Sequence, residues 1–449
     1  MGIALWGCAD EGLDGGGEGE ENTGGAPTTP AGEFNAFLRQ EMTDIYFWAD
    51  KIRGKAFSLP LDTNSQWYFN ALKYTHDPWS YLTGEAFEGE LAGLDDGHDT
   101  GFGWILTLWS VQNEGLFAKI NYIYPRSPAA EAGAQRGEKI TRIDGEAVSE
   151  ANVYKLLNTR TAVTVQLISK NATTRSLSLT PRAFDIQPIA KDTVIVHDGQ
   201  KIGYLFYTSF VYQNEQSLQD LTTIFTKFKQ AGVTEFILDL RYNGGGYVIP
   251  AIHLASLLAP ERNVSQRDVL INKIWNAKYQ EQFAGDATHT TEYFDNRTPA
   301  TARLGLSRVW VLTSANTASA SEIVISGLRP YMTVYTVGEV TAGKNAGGSV
   351  FSSPGDTSKE QGAYLITMQY TNKDGESVAG GIPRTYGYDA NKYYNDTTRL
   401  GDPNETFIAV VLRNMAAPGS RGLDPGVASP VVIHGEIGRS GRLIVNDER

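Results

Sequence analysis

Cysteine is almost absent from this 449-residue chain, where Cys8 stands alone. An internal disulfide is therefore excluded, and no Cys-X-X-Cys or Cys/His spacing exists to hold a structural zinc. No run approaches the about 18 consecutive apolar residues that a membrane-spanning helix needs. Basic clusters are missing too. With 39 basic against 51 acidic residues the formal net charge is −12. That balance disfavours nucleic acid as a partner, because phosphate binding draws on grouped Lys and Arg. There are six histidines, none of them in a nucleophile motif, and His253 on a predicted helix reads as structural. The composition that remains, 41% hydrophobic and 20% charged, is that of a soluble globular body. The length allows two or three domains.

The lone cysteine sits in ALWGCADEG, before an acidic, glycine-rich stretch. LWGC resembles the lipobox of bacterial lipoproteins, which implies lipidation of Cys8 and a lipid-anchored place in a Gram-negative cell envelope, at the periplasm or outer membrane. The apolar IALW before it is shorter than a signal peptide, so the start reads as truncated or misassigned. Residues 1–32 form a low-complexity leader suited to a tether, because Gly and Glu bury too little surface to fold.

Residues 33–95 read as a small helical unit. FNAFLRQEMTDIYFWADKI places Phe37, Leu38, Met42, Ile45, Tyr46, Trp48 and Ala49 at helical spacing, and a second helix is predicted over 65–74. The texture turns β-rich over 96–185. There SPAAEAG reads as a short helix ending at Gly133, and EKITRIDG as a strand entering an Asp-Gly turn. SEANVYKLL reads as a helix capped by Ser149, and AVTVQLIS as a closing strand. This order resembles a PDZ domain of the bacterial protease type, carried by the pattern SPA..AG...G..I..IDG.AV. The resemblance implies that an extended peptide lies along a strand edge, its terminal carboxylate held by a backbone nest at Gly101, Phe102 and Gly103. A glycine hairpin without a ligand is the plainer reading of that turn.

From 186 to 417 strands alternate with helices as in α/β folds. KIGYLFYTSF is a strand, 215–232 an amphipathic helix, and EFILDLRYNGGGYVIPAIHLASLLA a buried strand, a glycine turn and a helix. AYLITMQYT is β-rich, ETFIAVVLRNM reads as a helix, and 418–449 is expected to be an irregular tail. Within this region 311–350 is the stretch that carries chemistry. The strand VWVL breaks into small polar residues and continues as the helical EIVISGL, an arrangement that exposes a nucleophile beside a helix N-terminus. Ser314, Ser319 and Ser321 are all candidates on local grounds. A second strand, TVYTVG, leads to Lys344 between glycines, a poor packing residue and a candidate base. A serine hydroxyl needs a base, and a lysine serves as one only when neutral, which apolar surroundings favour. The run VYTVGEV is expected to supply them.

DLRYNGGG at 239–246, TASASE at 317–322 and the GK at 343–344, behind a PDZ-like unit, resemble the S41 family of serine peptidases, the C-terminal processing or tail-specific proteases. The resemblance spans about residues 96–385. It implies an α+β multidomain protein: an N-terminal helical unit, a PDZ-like domain and an α/β peptidase core of the ClpP/crotonase type. In that family the middle serine of the SASE-type motif is the nucleophile and a lysine 25 positions later is the base. Ser319 and Lys344 stand at that spacing. Oxyanion donors are expected from Ala320, just after the serine, and from Gly245 and Gly246, where the backbone can approach a substrate closely. Asp239 and Arg241 read as bracing the glycine turn. Pro330 and Gly348 occupy positions where some members carry an Asp or a Gln, so Glu322, three after the serine, is the remaining candidate for a third residue. The family implies cleavage of proteins by a Ser/Lys acyl-enzyme mechanism, with protein or peptide substrates and no metal, ATP or other cofactor. Two rival readings are a peptide-binding lipoprotein with a degenerate site and a hydrolase of esters or small peptides.

Overall fold

A computed structural model describes residues 26–83, 97–111, 114–157, 161–212, 214–353, 362–416 and 431–437. Cys8 and most of the leader lie outside the described residues. The chain divides into two compact units, and no helix among the described residues is long and apolar enough to cross a membrane.

One unit joins the N-terminal helices to residues 272–292 and 345–371. Thr29 caps the helix Pro30–Asp44, its hydroxyl accepting from the Gly32 N–H, and Asn64 caps Ser65–Leu72 in the same way. The first amphipathic stretch is not one helix. It breaks after Asp44 and resumes as Ala49–Ala56, because Asn276 captures the carbonyls of Asp44 and Tyr46 and the Phe47 N–H donates to the Ile366 carbonyl at 2.8 Å. Phe34, Leu38, Met42, Tyr46, Tyr68 and Leu72 bury against one another and against Ala363 and Leu365. Burial of each large side chain contributes about 1.5–3 kcal/mol. The accompanying sheet runs in the order Tyr81–Thr83, Gly362–Asn372, Val269–Trp275, Thr291–Tyr293, with Ala346–Ser352 also paired to Gly362–Asn372.

The other unit contains the PDZ-like sheet and the α/β core. The PDZ-like sheet is antiparallel, in the order Val431–Ile437, Trp104–Val111, Gly115–Ile123, Lys139–Ile143, Val163–Ile168, Thr174–Leu179. Ser127 caps the predicted short helix, Pro128–Glu131. Asp144 and Gly145, with φ of 51° and 84°, make the tight turn back to Glu146–Ala147 that the Asp-Gly pair predicts. The helix expected over SEANVYKLL shrinks to a 3₁₀ turn, Val153–Leu156. Asn152 competes with it: its side chain accepts from the Ser149 N–H and donates to the Ala147 carbonyl. The expected irregular tail also differs, since Val431–Ile437 is a strand on the sheet edge.

In the core a five-stranded sheet runs Ile189–His197, Gln200–Tyr207, Glu235–Asp239, Arg308–Thr313, Thr333–Gly338. The first pair is antiparallel and the others parallel. Helices Glu215–Gln230, Val248–Leu258 and Ala320–Leu328 follow successive strands. Glu235–Asp239 is buried throughout, as a parallel strand covered on both faces must be. The carboxyl ends of three parallel strands deliver the loops 240–247, 314–319 and 339–344 to one edge, where α/β sheets place their sites. PDZ-like sheet and core meet through buried polar contacts: the Lys119 amine donates to the Tyr393 carbonyl, and Arg136 holds the Thr398 carbonyl at 3.0 Å. Burial, with Arg136 nearby, pushes the Lys119 amine well below its ordinary range.

Candidate active site

Ser319 is the N-cap of the helix Ala320–Leu328 and has φ 55°, ψ −116°. For a residue with a Cβ this left-handed conformation is strained, a feature that clusters at functional sites. The three candidate serines separate by burial and bonding. The Ser314 hydroxyl donates to the Arg241 carbonyl, and that of Ser321 to the Asn243 carbonyl at 2.9 Å, both inside the core. Ser319 alone of the three is half-exposed.

The loop carrying Ser319 is tied to the glycine turn. Thr317 Oγ1 donates to the Leu240 carbonyl at 2.8 Å, and the Ala318 N–H to the Asn243 carbonyl at 3.2 Å. Gly245 (φ 107°) has no room for a side chain: a Cβ there would lie 2.8 Å from Ser319 Cβ and 2.9 Å from the Ala318 carbonyl oxygen. A Cβ on Gly246 (φ 134°) would clash with the Phe210 carbonyl. The expectation that Gly245 donates to an oxyanion needs correcting, because its N–H already donates to Asn243 Oδ1 at 2.9 Å. Gly245 instead lets the turn approach Ser319. Among the described residues the N–H groups of Gly246 and Ala320 have no acceptor, which leaves these two as candidate donors.

Glu322 is fully buried and its carboxylate is the hub of the site. Oε2 accepts from the N–H groups of Ser319 and Lys344, at 2.9 and 2.8 Å, so the two backbone nitrogens are no further apart than those bonds combined. Oε1 accepts from the Thr341 hydroxyl at 2.5 Å and the Gly343 N–H at 2.8 Å. Burial raises the Glu322 pKa above its ordinary value, against the opposing pull of these hydrogen bonds. One carboxylate thus positions the serine turn and the lysine loop by their backbones. Lys344 is half-buried. In the run before it, Val334 and Val337 are buried and Val340 is 45% exposed. The lysine loop is held from below, where the Ile382 N–H donates to Thr341 Oγ1 at 2.7 Å.

Behind the glycine turn lies a buried charge cluster. Arg241, 1% exposed, makes paired bonds to Asp239 at 2.9 and 2.6 Å and a third to Glu405 at 2.7 Å. Tyr204 also donates to Asp239, and Arg136 of the PDZ-like sheet reaches Glu405 at 3.4 Å. Arg241 therefore braces the turn, as its sequence position suggested. Arg241→Leu should destabilise the protein by about 3–5 kcal/mol by leaving buried Asp239 without its cation and Glu405 with only the more distant Arg136, read as a fall in the denaturant midpoint. The segment supplying Glu405 is secured by Asp396, which accepts from the Thr398 and Thr406 N–H groups at 2.7 and 2.8 Å and from the Thr406 hydroxyl. Burial pushes the Asp396 carboxyl up, but the hydrogen bonds prevail and hold it down at about 2. A depressed carboxyl stabilises the fold above its unfolded pKa near 3.8, and that contribution disappears as pH falls towards about 2. After solvent screening it amounts to about 1–2 kcal/mol. Asp396→Asn should accordingly flatten the acid limb of stability between about pH 4 and 2, measured by urea unfolding across that range.

Residues 201–387 match the model of peptidase family S41, and residues 119–167 that of a PDZ domain. Residues 201–387 are thus an S41-family peptidase region, with a PDZ domain ahead of it. It is 26% identical over 231 residues to a carboxyl-terminal-processing protease of Synechocystis sp., covering 50% of this chain and 49% of that protein. To the chloroplastic C-terminal processing peptidase of Tetradesmus obliquus it is 25% identical over 270 residues, covering 57% and 53%. The chain thus spans about half the length of these curated relatives. In structure it is similar to a Bacteroides fragilis protein designated an S41 protease, with a TM-score of 0.69, 26% identity and coverage of 85% of this chain and 97% of that one.

Asn243, Thr341 and Glu405 escaped the sequence reading. Asn243 is fully buried, joins Tyr207, Gly245, Ala318 and Ser321, and sets the glycine turn against the serine loop. An Asn just before glycines is a turn signal, so its place was legible although its partners were not.

Proposed function

We propose that this protein is a serine endopeptidase acting on unstructured or tail-bearing protein substrates through a Ser319/Lys344 dyad. The observation that carries this reading is the single Glu322 oxygen that accepts from both the Ser319 and the Lys344 backbone N–H. It draws together two residues separated by 25 positions, beside the Gly246 and Ala320 N–H groups. In this mechanism Ser319 Oγ attacks the scissile carbonyl while Lys344 takes its proton. The oxyanion collects the Gly246 and Ala320 N–H groups, and the lysine returns the proton to the leaving amine. Water then hydrolyses the acyl-enzyme with the lysine again as base. Glu322 touches no substrate in this scheme and acts as a positioning residue.

The PDZ domain supports a substrate with an extended C-terminal tail, bound along the strand Trp104–Val111 with its carboxylate at the Phe102 and Gly103 N–H groups, which have no acceptor among the described residues. A lipid anchor at Cys8 and an envelope location rest on the LWGC motif, and mass spectrometry of the Cys8-containing peptide from membranes tests them. Lys344→Ala and Lys344→Arg should both lose cleavage of a denatured protein by roughly a hundred-fold or more, the arginine because its guanidinium does not release a proton. Full activity in either variant removes the lysine from the mechanism.

A further inference from the structure

The strand Trp104–Val111 is the edge of the PDZ sheet that follows directly on the 101–103 turn, yet it is not open in this structure. Val431–Ile437 pairs along it, antiparallel, with Val431 opposite Val111, Val432 opposite Ser110 and Ile437 opposite Leu106. The C-terminal end of this added strand therefore points towards the turn. A bound peptide added to a PDZ edge needs that same polarity, with main-chain bonds along the strand and its last residue at the nest. We infer that Val431–Ile437 is an internal ligand of the PDZ domain, and that an extended substrate tail must displace it to bind. The inference rests on the reading of this edge as the tail-binding site.

The competition has a physical asymmetry. The internal strand is tethered, so it competes at a fixed effective concentration that an untethered tail must overcome. Chain continues beyond Ile437, however, so the strand has no carboxylate to offer the N–H groups of Phe102 and Gly103. A true C-terminus gains charge-assisted bonds there. The tether thus sets a threshold that ordinary extended segments fail to cross and tails with a free carboxylate can. If the edge is open only a tenth to a hundredth of the time, apparent affinity for a tail falls by about 10–100-fold.

The test measures binding, not cleavage, on full-length protein carrying Ser319→Ala. The probe is a fluorescein-labelled peptide of the Val431–Ile437 sequence ending in a free carboxylate, alongside its C-terminal amide. Val432→Pro with Ile433→Pro removes a ladder bond whichever of the two N–H groups faces the sheet. This variant should bind the acid peptide at least about ten-fold more tightly than its parent, with the amide weaker. A second variant keeps the strand in place: Cys8→Ser, Ser110→Cys, Val432→Cys joins two residues opposite each other in the register, within disulfide reach for an antiparallel pair. Oxidised, it should lose peptide binding, and reductant should restore it. Equal affinity in the proline variant and its parent, peptide binding by the oxidised form, or failure of the disulfide to form would each overturn the inference. Since cleavage is assayed separately with Ser319 intact, loss of the peptidase reading and loss of the internal ligand are distinguishable.

Discussion

Ser319→Ala is expected to reduce cleavage of an unstructured protein by roughly a thousand-fold or more while costing only about 1 kcal/mol of stability, that of an N-cap serine. The loss follows from removing the proposed nucleophile, for which neither of the other two candidate serines can substitute. Ser314 and Ser321 are buried and their hydroxyls are committed to the carbonyls of Arg241 and Asn243. The retained stability follows from how the turn is held. Glu322 binds the Ser319 backbone N–H, the ties from Thr317 and Ala318 to the glycine turn are made by other groups, and what the alanine loses is the side-chain half of the capping box at the helix start. The left-handed φ of 55° is about as strained for alanine as for serine. Comparable cleavage by the purified variant would refute the assignment of the nucleophile.

Glu322→Ala should be the most damaging change outside the reacting groups. It leaves four donors without their acceptor: the N–H groups of Ser319, Gly343 and Lys344 and the Thr341 hydroxyl. An unsatisfied buried donor costs about 1–3 kcal/mol, and some of these will find water, so a loss of about 3–5 kcal/mol is expected in urea unfolding. Activity should fall by roughly a hundred-fold beyond what the unfolded fraction explains, because the serine turn and the lysine loop lose their shared anchor and small misplacements of reacting groups are expensive. The fall should appear in kcat, with KM little changed, since Glu322 touches no substrate. Glu322→Gln should sit between, because its single acceptor oxygen can serve one pair of donors while its amide nitrogen faces the other. A variant that loses stability but keeps kcat would reduce Glu322 to a structural role.

How much of this was legible in the sequence differs from residue to residue. The strand, small-residue turn and helix around Ser319 follow from local patterning, as does the glycine turn at 244–246, because apolar periodicity and the freedom of glycine act over a few neighbouring residues. The break after Asp44 was not legible, since Asn276, more than two hundred positions away, captures the carbonyls that would have continued the helix. Val340 illustrates the limit from another side: the sequence does not tell that this valine faces solvent while Val337 is buried.

The chain by itself determined which residue types reach the edge of the sheet, in what order, and with what backbone freedom, because those depend on near neighbours. Only the tertiary structure decided that the hydroxyls of Ser314 and Ser321 are committed to backbone carbonyls, gave the Gly245 N–H to Asn243, made Glu322 an acceptor for the Ser319 and Lys344 backbones, and laid Val431–Ile437 along the PDZ edge. Most of those outcomes are choices of hydrogen-bond partner between segments distant in sequence, as when Glu322 accepts from Lys344 or Val431–Ile437 pairs with Trp104–Val111. Every buried donor must find an acceptor, but which acceptor it finds is settled only when the strands have packed.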